Sequence, residues 1–204
     1  MASWNGEVAS REEIREQKRR AALRIASRRF NEKGYHATSL DEIADEIGVT
    51  KTALYYYFRN KEELLYDCLQ VTFLCGETAR TKAEQSGGSA LDRFANFYRE
   101  FITRTLVENG AFLTRPNILA LPEGLRSDIT SREEALQTYI SGLLSDAAAE
   151  GSLRNIDTNA AGSFFLNSVN WLLSWHQHDQ EAIDPKERSA KFLDHLMNGI
   201  ATKG

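Results

Sequence analysis

Residues 38–61 read TSLDEIADEIGVTKTALYYYFRNK, and this stretch carries the strongest local pattern in the chain. Ser39 is followed three residues later by Glu42, the S-x-x-E spacing of a capping box, in which each side chain bonds the other residue's backbone N–H. The apolar residues that follow recur at helical spacing: Leu40, Ile43, Ala44 and Ile47. Gly48 comes next, at a position where a helix ends in the left-handed conformation that glycine adopts without strain. The sequence therefore predicts a short amphipathic helix that ends at a tight turn.

A second short helix follows the turn. Val49 points back toward the first helix, and Thr50 is a residue type that caps a helix N-terminus. Two short helices joined by a glycine-centred turn form a helix-turn-helix, whose second helix lies in the DNA major groove. An ordinary helical hairpin explains the apolar stripe and the glycine. It does not explain why the second helix is rich in groups that hydrogen-bond to phosphates, so the pattern favours DNA binding.

The wider run from Arg20 to Leu65 resembles the DNA-binding domain of the TetR family of transcriptional repressors. The residues that carry the resemblance are Ala26, Phe30, Gly34, Thr38, Ile43, Ala44, Gly48, Val49, Leu54, Tyr55, Phe58, Lys61 and Leu64. It covers about the first third of the chain. The remainder is similar to the family in length and helical pattern. The resemblance implies a ligand-responsive repressor that binds a palindromic, double-stranded DNA operator.

The resemblance also implies which residues contact DNA. Five lie on the second helix of the helix-turn-helix, which is the third predicted helix of the chain, and on its ends: Thr50, Lys51, Thr52, Tyr55 and Tyr56. Two more, Thr38 and Lys61, stand at the starts of the second and fourth helices, where family members commonly hold phosphates. Tyr56 stands where many relatives carry histidine. Leu54 and Phe58 are expected to pack in the core, and for Tyr57 packing and DNA contact are both open.

Charge is unevenly distributed along the chain, whose formal net charge is -4. Seven basic residues and one acidic residue lie between Gln17 and Lys33, whereas residues 67–204 hold 13 basic and 18 acidic residues. A basic end on an acidic remainder fits a protein that binds phosphate through that end. For Arg20 and Arg24 a contact to the DNA backbone and simple solvation are both open.

The composition favours an all-α fold. Hydrophobic residues make up 42% of the chain, only three prolines occur, and no long alternating run of the β type is present. Helical patterns predict about nine helices. We expect a disordered tail over residues 1–9, a helix-turn-helix DNA-binding domain over 10–60, and a ligand-binding and dimerisation domain over 61–204. Asn60 is expected to cap the fourth helix, the mechanical link between the two domains.

The second domain is rich in large aromatic residues. Most of them are expected to fill its core, but a small-molecule pocket is also lined by apolar groups with a few polar ones. The candidate pocket residues are Phe101, Arg104, Phe112, Asn167, Asn170, Trp171 and Trp175. Faint similarity of the last two helices to acyl-CoA-responsive family members ranks a fatty or aromatic acid, free or as its CoA thioester, first among effectors. A generic hydrophobic compound is the alternative.

The last two predicted helices are apolar enough to need a partner. The helix from Phe164 to Trp175 is apolar around more than one face, and the final helix has its own apolar stripe. Together they can build a four-helix bundle across a two-fold axis. TetR family members dimerise through these helices, so we expect a homodimer.

Other classes of site have weaker support in the sequence. No nucleophile elbow, phosphate loop or H-E-x-x-H motif is present, so we expect neither an enzyme nor a cofactor. His176, His178 and Asp179 form a cluster that a metal can use, but they close a helix among polar residues. We interpret them as a solvated helix end and predict no metal.

Localisation follows from the ends of the chain and from its two cysteines. Residues 1–10 lack the pattern of a secretory leader, and no apolar stretch reaches 18 residues, so we expect a cytoplasmic protein that does not enter the membrane. Cys68 and Cys75 lie seven residues apart on one predicted helix, about 10.5 Å at the helical rise. A disulfide needs Cα atoms within about 7 Å, so they cannot bridge each other in that helix.

A competing interpretation is a helical small-molecule carrier or enzyme whose N-terminal hairpin is purely structural. DNA binding separates the two hypotheses. A repressor with six or more phosphate contacts should lose about 10³-fold or more in affinity between roughly 50 and 200 mM salt. A carrier would show no specific binding to DNA.

Overall fold

A computed structural model describes residues 10–108, 114–178 and 184–200 of the protein. Within these ranges the chain forms nine α-helices: α1 (Arg11–Lys33), α2 (Leu40–Ile47), α3 (Lys51–Tyr55), α4 (Lys61–Ser86), α5 (Ala90–Glu108), α6 (Arg115–Leu119), α7 (Glu123–Ala149), α8 (Thr158–His178) and α9 (Pro185–Ile200). The all-α prediction is confirmed. None of the helices in the described ranges combines the length and the apolar character that a membrane span requires.

The helix starts follow the predicted capping chemistry. Ser39 Oγ accepts a hydrogen bond from the Glu42 backbone N–H (3.1 Å), and Glu42 Oε2 accepts one from the Ser39 N–H (2.9 Å). Gly48 closes α2 in the left-handed conformation with φ 78° and ψ 33°. At α4, Asn60 Oδ1 accepts from the Glu63 N–H at 2.7 Å. These local bonds fix the angle between α2 and α3 and the start of α4.

The first hydrophobic core, the head core, holds α1, α2 and α3 against the first half of α4. Its largest fully buried side chains are Phe30, Phe58, Ile43, Leu64, Leu65 and Leu69. Ile118 of α6 and Ile129 of α7 also join this core. The core of the helix-turn-helix is therefore continuous with side chains from two elements of the rest of the chain.

The second core, the body core, is built on α5, α7 and α8. It is dominated by aromatic side chains: Phe94, Phe97, Tyr98, Phe101 and Phe165. Phe94 and Phe165 meet edge to face at 4.7 Å between ring centroids, a favourable geometry for aromatic pairs. The buried Tyr98 hydroxyl satisfies its hydrogen bond with Ser168 of α8.

Helix α4 belongs to both cores. Its residues up to Phe73 pack in the head core, and those from Cys75 onward pack in the body core. Both cysteines of the chain lie on this helix, buried and unpaired. Burial raises the pKa of Cys68 to about 12 and that of Cys75 to about 11, so both remain thiols near neutral pH.

Candidate nucleic-acid interface

Helix α3 is anchored by two side chains that point into the head core. Leu54 and Phe58 are 3% and 2% exposed, which confirms the packing role expected for them. Thr50 caps the helix, since its Oγ1 accepts a hydrogen bond from the Ala53 backbone N–H at 3.1 Å. With Leu54 and Phe58 turned inward, the remaining side chains of this short helix face away from the protein.

Five of the seven predicted DNA-contacting residues are exposed on α3 and its two ends. We refer to them as the recognition surface: Thr50, Lys51, Thr52, Tyr55 and Tyr56. Tyr55 and Tyr56 are 46% and 68% exposed, unusually high for large aromatic residues. The surface offers hydroxyl and ammonium donors, the groups that bond phosphate oxygens and base edges.

Lys51 is held by a carboxylate from the preceding helix. Its Nζ donates a hydrogen bond to Asp41 Oδ2 at 2.8 Å. This hydrogen bond is the main cause that raises the pKa of Lys51 above its usual value, and desolvation opposes it. The Lys51 ammonium is thus charged at the recognition surface and already has an anionic partner.

Lys61, at the first turn of α4, is held by an aromatic ring. Its Nζ lies 4.1 Å from the centroid of the Tyr35 ring, within range of a cation–π contact. Partial burial is the main cause that lowers the pKa of Lys61. The Tyr35 hydroxyl donates to Glu62 at 2.8 Å, which fixes the ring under the ammonium.

Thr38 has an internal position. Its side chain is 2% exposed, and its hydroxyl lies 2.9 Å from the Gly34 carbonyl oxygen and 3.2 Å from that of Arg29. The residue ties the end of α1 to the start of α2. Because the Thr38 side chain is buried and bonded to backbone carbonyls, its placement speaks against a phosphate contact. Ser39, one residue later, caps α2. Thr38 is therefore left out of the interface proposed below.

The seven basic residues between Gln17 and Lys33 on α1 are less free than their number in the sequence indicated. Five of the seven pair with carboxylates: Arg19 with Asp67, Arg20 with Glu16, Arg28 and Arg29 with Glu46, and Lys33 with Glu42. Lys18 and Arg24 are exposed and form no ion pair within the described part of the chain. The positive field near α3 thus comes from fewer unpaired cations than the count predicted.

One neighbour of the recognition surface was missed by the sequence analysis. The guanidinium of Arg15, on the second turn of α1, lies 5.5 Å from the Tyr56 ring centroid. Four residues later, Arg19 lies 5.7 Å from the Phe58 ring centroid. The spacing of the two arginines shows that they share a face of α1, but nothing local in the sequence indicates that this face meets the end of α3.

The predicted pocket residues have different environments. Phe101 is 1% exposed in the body core and lies 5.7 Å from Phe97 between ring centroids. Trp171 is 51% exposed on α8 and packs against Phe192 of α9 at 5.7 Å. Asn167 is exposed, and its side-chain amide donates to its own helix, at Ser163 O. One candidate is thus enclosed by core side chains, and two lie at the surface.

Among the described candidates, Arg104 lines a marked cleft. The cleft has a volume of about 400 Å³ and lies between α1, α4, α5 and α7. The Arg104 guanidinium bonds Glu100, one turn earlier on α5. Phe112, Asp179 and the side chains of Asn170, Trp175, His176 and His178 lie outside the described residues. The pocket that we expected around the seven candidate residues stays a prediction.

An exposed helix with hydroxyl and ammonium donors, set in a capped helix-turn-helix on a larger helical body, defines a DNA-binding transcriptional regulator. Comparison with known families specifies the class further. Residues 22–68 match the family described as bacterial regulatory proteins, tetR family, and residues 87–200 match the tetracyclin repressor-like C-terminal domain. The second match alone covers more than half of the chain, and the protein belongs to the TetR family.

Individual relatives agree with this assignment. The transposon Tn10 TetC protein of Escherichia coli is 40% identical over 75 residues, which are 36% of this chain and 38% of TetC. The ketosteroid transcriptional regulator KstR2 of Mycobacterium tuberculosis is 20% identical, with a TM-score of 0.75 over 97% of this chain and 98% of KstR2. AibR, solved with isovaleryl coenzyme A and operator DNA, is 24% identical, with a TM-score of 0.68 over 88% and 98% of the two chains. At these identities the two solved structures establish the fold.

Proposed function

We propose that the protein is a homodimeric repressor that a small apolar or acyl-type ligand releases from a palindromic operator. The observation that carries the proposal is the recognition surface, five exposed donor-bearing residues on a helix whose other side is locked into the head core. The match of residues 87–200 to a tetracyclin repressor-like C-terminal domain supports a regulator of this type.

In the proposed complex, α3 enters the major groove with its N-terminal end toward the bases. Lys51 and Thr52 stand at that end, where the helix dipole and free backbone N–H groups also favour phosphate. Tyr55 and Tyr56 extend the contact along the backbone. Lys61 adds a cation at the start of α4, in a position that the Tyr35 ring holds fixed.

The proposed dimer uses the exposed face of α8 together with α9. Phe164 and Trp171, which are 58% and 51% exposed, lie seven residues apart and hence on one face of α8. Large apolar side chains on one surface stripe are typical of a protein–protein contact. A two-fold dimer presents two copies of α3, so the operator should be a palindrome with half-sites about 34–36 Å apart or somewhat more.

The proposed effector is a fatty or aromatic acid or its CoA thioester. Support comes from AibR, a relative in fold whose solved complex contains isovaleryl coenzyme A together with operator DNA. The effector need only prefer a dimer geometry in which the two α3 helices no longer match the half-sites. A neutral hydrophobic compound remains the alternative class.

Lys51→Ala tests the interface directly. We expect weaker binding to the operator and a salt slope lower by about one unit, because one phosphate contact is lost. The matched control is Lys82→Ala on α4, which also removes an exposed lysine paired with a carboxylate, that of Glu100 at 2.7 Å. Wild-type affinity and slope in Lys51→Ala, with an unchanged melting curve, would refute the assignment of α3 as the recognition helix.

Two further measurements test the operator and the effector. Selection from random duplexes should yield near-palindromes, and asymmetric or single half-site winners would contradict the proposed dimer. Thermal shift with isovaleryl-CoA, free fatty acids, aromatic acids and neutral aromatics ranks the ligand classes. A ligand at 100 times its Kd stabilises the protein by about 2.7 kcal/mol, which such a scan resolves.

A further inference from the structure

Helix α2 carries four acidic residues, and three of them bind cations of the helix-turn-helix region. Glu42 pairs with Lys33, and Glu46 pairs with Arg28 and Arg29. Asp41 pairs with Lys51. Asp45 forms no ion pair among residues that the structure describes, although it lies on the same exposed helix. Of these pairs, only Asp41–Lys51 involves a residue of the recognition surface.

The Asp41–Lys51 pair contributes little to the fold. The Lys51 and Asp41 side chains are 44% and 63% exposed, and ion pairs this exposed have small effects on stability. Helix α2 already has its cap from Ser39 and a capping carboxylate from Glu42. The pair therefore has no evident structural need, yet it places a carboxylate 2.8 Å from the ammonium that we assign to DNA.

A carboxylate at this position opposes DNA binding in two ways. It occupies the Lys51 ammonium, and it brings a negative charge toward the phosphate backbone. Both effects weaken the electrostatic attraction that supplies essentially all sequence-independent binding. Operator binding has hydrogen bonds and apolar contacts to the bases in addition, and these contacts draw α3 and Lys51 fully onto the DNA.

We infer that Asp41 is an affinity-limiting residue: it restrains Lys51, and the cost of breaking their ion pair falls chiefly on operator binding, where Lys51 must leave Asp41 for a phosphate. The inference rests on the proposed function, since it requires Lys51 to face DNA. On the operator, α3 seats fully and Lys51 exchanges Asp41 for a phosphate. On other sequences, α3 lacks the base contacts that would draw Lys51 away from its carboxylate.

An opposite role for Asp41 predicts an opposite result. If Asp41 positioned Lys51 for its phosphate, removal of the carboxylate would lower operator affinity through a less ordered lysine. If Asp41 restrains Lys51, removal raises affinity, and it does so most on the operator, where the ion pair has to break. The sign of the change therefore decides between the two roles.

The experiment compares Asp41→Asn with Asp45→Asn, which makes the same charge change on the same helix without breaking an ion pair. Each full-length variant is titrated with a selected operator duplex and with an unrelated duplex over a range of salt. For Asp41→Asn we expect operator affinity to rise about two- to five-fold at low salt, because the cost of breaking an exposed ion pair is removed. Affinity for the unrelated duplex should rise by no more than that, so the specificity ratio does not fall.

Two further variants separate failure of this inference from failure of the proposed function. Lys51→Ala with unchanged DNA binding would remove Lys51 from the interface and overturn both. Weaker binding by Lys51→Ala, together with an Asp41→Asn variant that matches Asp45→Asn or loses operator affinity, would overturn the inference alone. In the double variant Asp41→Asn/Lys51→Ala the gain in operator affinity over Lys51→Ala should exceed the gain of Asp45→Asn over wild type only slightly, because no cation is left to release. A gain as large as in Asp41→Asn alone would refute the restraint of Lys51.

Discussion

Replacing Gly76 by alanine should stabilise the protein, because the helix around it leaves room for a methyl group. Gly76 is buried in the middle of α4, where the head core gives way to the body core. A Cβ added there would lie 3.4 Å from Leu136 Cδ1 and 3.6 Å from Phe101 Cε2, ordinary contact distances to side-chain atoms. Alanine gains about 1 kcal/mol over glycine inside a helix, and a buried methyl adds up to about 0.8 kcal/mol.

The expected gain is therefore about 1–2 kcal/mol in the free energy of unfolding, or several degrees in Tm for a chain of this size. Two other helical glycines calibrate the measurement. At Gly142 on α7 an added Cβ meets nothing within 4 Å, so Gly142→Ala should report helix propensity alone. At Gly162 on α8 the Cβ would clash with Ser141 Oγ and lie 3.3 Å from the Ser141 backbone nitrogen, so Gly162→Ala should cost about 1–3 kcal/mol through overpacking.

Urea unfolding of the three variants at one protein concentration is the assay, since dimer stability depends on concentration. The expected order of stability is Gly76→Ala at or above Gly142→Ala, both above wild type, with Gly162→Ala below. A Gly76→Ala variant less stable than wild type would show that α4 and α7 lie closer together than in this structure. That result would refute the claim that the position of Gly76 has room for a methyl group.

Three further predictions address single side chains. Thr38→Val removes the hydroxyl that bonds the carbonyl oxygens of Gly34 and Arg29, so the free energy of unfolding should fall by about 1–2 kcal/mol. The salt slope of DNA binding should stay unchanged, and a lower slope would show that Thr38 contacts a phosphate. Trp171→Asp should convert the dimer to a monomer in analytical ultracentrifugation, and an intact dimer would contradict the α8 interface. The pKa of Glu42 is lowered to about 2, chiefly by the Ser39 backbone N–H and by Lys33, below the usual 4.5. Its ionised carboxylate contributes fully to stability above about pH 4.5, and this contribution is lost as the pH falls toward 2. Over that window the Tm of Glu42→Gln should therefore fall less steeply with decreasing pH than the Tm of the wild type.

The helix-turn-helix could be predicted because its determinants are local in sequence. The reciprocal bonds of Ser39 and Glu42 and the left-handed Gly48 depend on residues three or fewer positions apart or on one residue alone. Helical geometry fixes such contacts once the helix exists. The inward direction of Leu54 and Phe58 follows from their spacing in the same way.

Charge pairing could not be predicted, because it depends on how helices cross. Glu46 lies 17 and 18 residues from the arginines that it binds, Arg29 and Arg28, and Asp41 lies ten residues from Lys51. Counting the basic residues of α1 therefore overstated the charge available to DNA. The hydrogen bonds of Thr38 could not be predicted for the same reason. Its place before α2 is evident in the sequence, but its bonds back to α1 depend on how the two helices pack.

Aromatic spacing identified buried faces but did not distinguish a filled core from a cavity. Phe97, Tyr98 and Phe101 recur on one side of α5, and all three are enclosed in the body core. Whether such a face closes on other side chains or on a ligand depends on the distance between helices, which periodicity does not encode. Trp171, on an equally apolar helix, lies half exposed, in keeping with the proposed dimer face rather than a pocket.

The link between the body and the recognition surface can be followed along α4. The Tyr66 hydroxyl and the Gln70 amide, both on α4, donate to Asp128 Oδ2 of α7 at 2.9 and 3.2 Å. Ile118 of α6 and Ile129 of α7 are buried in the head core beside them. A ligand that shifts α7 must therefore either break these contacts or move α4 with it. Because Lys61 begins α4 and Leu54 packs α3 into the same core, a shift of α4 changes the spacing of the two recognition surfaces in the proposed dimer.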